Sequence, residues 1–202
     1  MDKWEPTLCN ETINNAKGLK LQRARIHVVQ SAYGRVLEIG SGTGINFPLY
    51  TSEKVHSVDA IEPNRNRLKS SQWRKSNSVV PIQTHEAIAE NLPFSDDTFD
   101  SVVCTLVFCT IPKPREALKE IERVAKSGAT ILFLEHVKVN RPFLGFTQDF
   151  LNPLWKVIAG GCHLNRNTLA TIKQSDFVVE EVETFYKEIL KFIRCTNVKY
   201  DN

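Results

Sequence analysis

Three of this sequence's nine glycines fall within five positions, in Val36-Leu37-Glu38-Ile39-Gly40-Ser41-Gly42-Thr43-Gly44. The cluster follows an apolar run and precedes a short helical stretch, the place where an open α/β sheet receives a nucleotide-like ligand beyond the carboxyl ends of its strands. Glycine suits that place because a side chain would hold the ligand off the backbone, and because a tight turn needs unusual φ and ψ values. About 20 residues further on, Glu62 ends a second apolar run, Val58-Asp59-Ala60-Ile61-Glu62-Pro63. A carboxylate there can accept both hydrogen bonds of a ribose diol, and it disfavours a 2′-phosphate. The turn that cradles a dinucleotide pyrophosphate is GxGxxG, whose last glycine would stand at Ile45, so the GxGxG spacing fits a pyrophosphate poorly. A nicotinamide-dependent oxidoreductase is therefore the rival reading.

Such a site needs strands to carry it. Candidate strands are Arg35 to Ile39, His56 to Ile61, Val80 to Thr84, Ser101 to Thr105, Thr130 to Glu135, Val178 to Phe185 and Ile189 to Cys195, mostly β-branched or continuously apolar. Between the fourth and fifth lies the clearest helix. Ala117, Leu118, Ile121, Val124 and Ala125 share one face, the charged residues take the other, Pro114 opens the helix and Gly128 is expected to close it. Strand, helix, strand at this spacing implies right-handed parallel crossovers, hence an α/β, Rossmann-like, doubly wound sheet of seven strands. The last two runs are separated by little more than Tyr186, Lys187 and Glu188, so they must pair as a C-terminal antiparallel hairpin. No repeat or linker divides the chain, which reads as one domain over 1–202 with an N-terminal helical extension over 1–33.

Composition bounds the partners. A chain of 202 residues with 42% apolar and 24% charged residues can bury an ordinary core, which excludes a fibrous or wholly disordered protein. A net charge of +3 is too small to argue for nucleic acid as an obligatory partner. The longest uncharged stretch, Ser101 to Pro112, is too short to span a bilayer, so no transmembrane segment is expected. The first residues, Met1-Asp2-Lys3-Trp4-Glu5-Pro6, do not read as an export signal. Five cysteines without CxxC spacing read as reduced thiols of a cytoplasmic protein, with no metal site. Oligomeric state has no signature here.

The GxGxG turn preceded by Glu38 resembles motif I of the class I S-adenosylmethionine (SAM) methyltransferases. Ala89-Glu90-Asn91-Leu92-Pro93-Phe94-Ser95-Asp96-Asp97-Thr98-Phe99-Asp100 is similar to the segment before strand four in the ubiquinone/menaquinone-type branch, methyltransferase type 11. That branch usually carries an Asp where this chain has Ile88, and Ser127 replaces its customary proline before strand five. Cys104 to Cys109, Phe133 to Val137, Asn152 to Trp155 and Gly161 to Arg166 resemble the methyltransferase-like group whose animal members are membrane-associated alkyl-thiol methyltransferases. The resemblance implies SAM as cofactor and S-adenosylhomocysteine as its product. It implies cofactor contacts from Glu38, Gly40, Ser41, Gly42, Gly44, Glu62, Pro63, Ala89, Glu90, Cys104, Thr105 and Leu106. A SAM-binding module without catalysis is the remaining alternative.

For the acceptor, signatures of nucleic-acid methylation are missing: no Asn/Asp-Pro-Pro-aromatic turn follows strand four, and no Pro-Cys dipeptide occurs. A small molecule is favoured, with thiol, amine and lipid-like acceptors in that order. A thiol near pKa 8.5 is partly ionised at neutral pH and needs the least help. His136, beside Glu135 at the end of the fifth strand, is the candidate proton acceptor, against a plain loop-shaping histidine. Over 138–166, Phe143, Phe146, Phe150, Leu154, Val157 and Ile158 recur at helical spacing, as a lid, a membrane-contacting face or plain core packing.

Overall fold

Apolar runs whose residues alternate between two buried faces can only be satisfied by cover on both sides, and this chain supplies it. The structure, a computed structural model, describes residues 18–136, 166–185 and 190–199, without the side chains of 18–20 and 136. The element order is α1 (Gly18–Gln30), β1 (Gly34–Ile39), a 3-10 turn (Phe47–Leu49), β2 (Val55–Ile61), α2 (Arg65–Ser76), β3 (Ile82–His85), β4 (Phe99–Thr105), α3 (Pro114–Val124), β5 (Ala125–His136), α4 (Thr168–Ile172), β6 (Phe177–Phe185) and β7 (Leu190–Asn197). The strands form one sheet in the order β3-β2-β1-β4-β5-β7-β6. The first five named are parallel, and β7 runs antiparallel to both β5 and β6. The seven-stranded expectation with a reversed C-terminal strand holds.

Two cores flank the sheet. On one side Leu21, Ala24, Val28, Val29 and Ala32 cover Val36, Val58, Ala60, Val103, Leu132 and Leu134. On the other, Ala117, Leu118, Ile121 and Val124 of α3 cover Leu37, Ile39, Val102, Cys104, Ile131 and Phe133. The alternation of Val36 with Leu37, and of Val102 with Val103, is the period-2 geometry of strands buried on both faces.

Element ends depart from the sequence reading where side chains or distant amides intervene. β3 begins at Ile82 rather than Val80, since Pro81 lacks an N–H and only its carbonyl joins the ladder, accepting from Val58 N at 2.9 Å. Gly128 does not close α3, which ends at Val124. The carbonyls of Arg123 and Val124 accept from Asp97 N at 3.1 Å and Thr98 N at 2.7 Å, and Asn197 Nδ2 donates to the carbonyls of Glu122, Ala125 and Lys126. The helix end is thus satisfied from the segment before β4 and from β7. Ala125 turns directly into β5 opposite Phe99, and Gly128 takes φ +78° in the irregularity that follows. Residues 138–165 of the candidate lid over 138–166, the hairpin turn Tyr186 to Glu188 and residues 1–17 of the extension lie outside the described residues. No described helix is long and apolar enough to cross a membrane.

Candidate functional site

The parallel strands bring the glycine turn, Glu62 and the segment after Thr105 to one rim of the sheet. Gly40, Gly42 and Gly44 all take positive φ, at +66°, +57° and +76°. Their roles divide by what surrounds them. A Cβ on Gly40 would stand 2.2 Å from Val107 Cγ2, and one on Gly44 would stand 2.6 Å from the Phe47 ring. A Cβ on Gly42 would meet nothing within 4 Å. The missing side chains of Gly40 and Gly44 make room for Val107 and Phe47, and Gly42 is the one of the three that faces open space. Ser41 N donates to Ile61 O at 2.9 Å, while Ser41 Oγ is buried with no hydrogen-bond partner among the described residues.

Glu62 lies just past β2 and is almost wholly buried. Its Oε2 accepts from Gly42 N and its Oε1 from Asn64 N, both at 3.0 Å, with Arg67 Nη1 at 3.7 Å from Oε1. Each carboxylate oxygen can accept a second bond, so a diol remains within its capacity. Asn64 caps α2, accepting from Asn66 N and Arg67 N, which fixes the turn after Pro63. From α2, Arg74 Nη1 donates to Thr43 O at 2.9 Å, bracing the glycine turn.

Glu38 is buried within β1 rather than exposed at the rim. Its Oε1 accepts from Asn46 Nδ2 at 3.0 Å and its Oε2 from Tyr50 OH at 2.8 Å. Asn46 Nδ2 also donates to Thr105 Oγ1 at 3.0 Å, and Arg25 Nη1 donates to Asn46 Oδ1 at 2.9 Å and to Thr105 Oγ1 at 3.3 Å. Burial pushes the Glu38 carboxyl up to about 7, against the bonds from Tyr50 and Asn46 and the nearby Arg25 charge. Burial lowers the Arg25 guanidinium, and Tyr50 is raised by burial and by Glu38. Sequence reasoning missed Arg25, Asn46 and Tyr50. One signal was available: Arg25 stands within the apolar stripe Leu21, Ala24, Val28, Val29, Ala32, and a charge there must find a buried partner.

The third side of the rim is the turn after β4. Cys104 is buried, and burial raises its thiol well above the ordinary range. Leu106 adopts φ +54°, unusual for a residue with a side chain, and its N–H donates to Leu134 O at 2.7 Å. Glu135 Oε1 accepts from Val107 N at 2.8 Å and Phe108 N at 2.9 Å. Ala89 is buried and Ile88 exposed, while Glu90 Oε1 accepts from Lys113 N at 3.2 Å, a contact away from the glycine turn. His136 ends β5 opposite Leu190, and its side chain lies outside the described residues. No group of three or more metal-ligating side chains occurs among the described residues.

The methyltransferase domain family matches residues 37–133 of the chain. The thiol S-methyltransferase TMT1B of Rattus norvegicus is 36% identical over 151 residues, which is 73% of this chain and 62% of that protein. The match thus spans about six-tenths of the length of the rat relative. Phosphatidylethanolamine N-methyltransferase of Cereibacter sphaeroides is 32% identical over 163 residues, covering 80% of this chain and 72% of that protein. In fold, the chain is similar to the crystal structure of the YcgJ protein of Bacillus subtilis, with a TM-score of 0.69 at 17% identity over 90% of this chain and 99% of that one.

Proposed function

This chain belongs to the class I S-adenosylmethionine-dependent methyltransferases, and from that premise we propose that it methylates a small-molecule acceptor, a thiol first, then an amine or a lipid-like compound. When bound, the cofactor supplies the electrophile, a sulfonium methyl group. The residues present fit it: Gly42 is open where the backbone must be approached, and Ser41 Oγ is buried without a partner among the described residues.

The observation that carries the reading is Glu62, whose two oxygens straddle the glycine turn and Asn64 with acceptor capacity left for a ribose diol. The backbone at Gly40, Ser41, Gly42 and Gly44 would let the cofactor approach, and Cys104, Thr105 and Leu106 would border its methionine portion. The protein's task is then alignment, because in-line displacement needs the acceptor's electron pair about 3 to 3.5 Å from the methyl carbon. His136 would take the acceptor's proton onto its ring. A thiol acceptor is supported by its low pKa and by the relative named for thiols, an amine by the relative named for phosphatidylethanolamine. Buried cysteines that form no disulfide, Cys104 and Cys195, support a cytoplasmic placement.

Ligand stabilisation tests the proposal. S-adenosylhomocysteine at 100 times its Kd is expected to stabilise the fold by about 2.7 kcal/mol, and NADH to leave it unchanged. A response to NADH with none to S-adenosylhomocysteine reverses the assignment. Methyl transfer from labelled SAM to a panel of thiols and amines then separates an enzyme from a binding module.

A further inference from the structure

The turn after β4 is held from two sides by side chains whose place the proposed chemistry does not explain. Glu135 is wholly buried at the end of β5, and its Oε1 takes two successive amides of the turn, Val107 N and Phe108 N. Its Oε2 is buried with no hydrogen-bond partner among the described residues. Arg166 grips the other polarity of the same turn, Nη1 donating to Phe108 O at 2.5 Å and to Ile111 O at 2.7 Å. Immediately before these grips Leu106 takes φ +54°, a conformation costing about 1 kcal/mol or more for a residue with a Cβ. The consequence reaches the cofactor turn, because Val107 Cγ2 fills the space that a side chain on Gly40 would need.

We propose that Glu135 is a positioning residue for the cofactor crevice: by accepting from the Val107 and Phe108 amides it holds the strained turn, seats Val107 against Gly40, and so shapes the site before the ligand arrives. Burying a carboxylate with one oxygen unsatisfied is costly, and ordinary core packing gives no return for it. A preformed crevice does, since order established in the free protein is not charged against binding. The inference rests on reading that crevice as the SAM site.

The test is S-adenosylhomocysteine affinity by calorimetry on the full chain, well below the melting temperature, with circular dichroism confirming the fold. Glu135→Ala, which frees the turn, is expected to bind at least tenfold more weakly. Glu135→Gln keeps an oxygen for the two amides and is expected to stay within about threefold of the wild type. Val107→Ala, which empties the Gly40 notch and leaves Glu135 in place, is expected to lose several-fold, and it decides the matter should Glu135→Ala not fold. Wild-type affinity in folded Glu135→Ala or in Val107→Ala overturns the proposal, as does Glu135→Gln binding as weakly as Glu135→Ala. A wild-type chain that binds no S-adenosylhomocysteine overturns the cofactor reading itself, and this inference with it.

Discussion

Val107 occupies the volume that every residue other than glycine would need at position 40, its Cγ2 lying 2.2 Å from where a Cβ would stand. Gly42, two residues on, has open space instead. The two glycines should therefore fail differently. Gly40→Ala combines a collision with the Val107 side chain and a left-handed φ, and is expected to destabilise the fold by about 3 kcal/mol or more. Gly42→Ala carries only the conformational cost, about 1 kcal/mol, but puts a methyl group where the ligand must approach, so S-adenosylhomocysteine binding should suffer more than the melting temperature. Equal melting temperatures for the two variants would contradict this division.

Glu62→Gln keeps the size of the side chain and one carbonyl oxygen, but loses the charge and one acceptor. Charged hydrogen bonds to a diol are worth about 1.5 to 3 kcal/mol each, so S-adenosylhomocysteine affinity should fall by about 10- to 100-fold. Isothermal titration measures this directly, and a change below threefold would remove Glu62 from the ribose.

Glu38 and Glu135 are both pushed up to about 7 by burial, from an ordinary value of 4.5. Between those pH values the folded chain retains protons that the unfolded chain has lost, so stability is greatest below the window and declines as pH rises through 7. Asp100 and Glu120, held below the ordinary range, act at lower pH and in the opposite sense. Thermal unfolding midpoints should thus drop from pH 5 to pH 8. In Glu38→Gln, whose amide can still accept from one partner and donate to Tyr50 OH, the drop should be shallower. An unchanged slope would assign the pH dependence elsewhere.

Arg25 joins α1 to both the glycine-turn strand's partner Asn46 and to Thr105. Arg25→Met preserves the apolar stem but leaves Asn46 Oδ1 and the Glu38 charge less satisfied, and is expected to cost about 2 to 4 kcal/mol in urea unfolding. A loss under 0.5 kcal/mol would mean that the network repairs itself.

His136→Ala should abolish most turnover on labelled SAM while leaving S-adenosylhomocysteine affinity within about twofold. Removing a general base typically costs 10²- to 10⁴-fold. Full turnover would leave His136 without a catalytic part.

The order of strands and helices was legible because burial writes a period into a strand or helix that lies within a dozen residues of chain. Val36 to Ile39, Val102 to Thr105 and the stripe of α3 carry that period in full. The site's two landmarks were legible for the same local reason: a glycine cluster has few uses at a strand end, and Glu62 must emerge at the end of the adjacent parallel strand. What lies between distant segments was not. Arg25 meets Thr105 across 80 positions, Glu135 caps amides 28 and 27 positions away, and Asn197 ends a helix more than 70 positions earlier. Local composition therefore determined the scaffold, the glycine turn and the acid beside it. Only the tertiary structure decided that Glu38 is buried against Asn46 and Tyr50, that Gly40 and Gly44 make room for neighbouring side chains, and that α3 stops at Val124. Those outcomes depend on which side chains meet in space, and a hydrogen bond or a filled notch leaves no periodic trace along the chain.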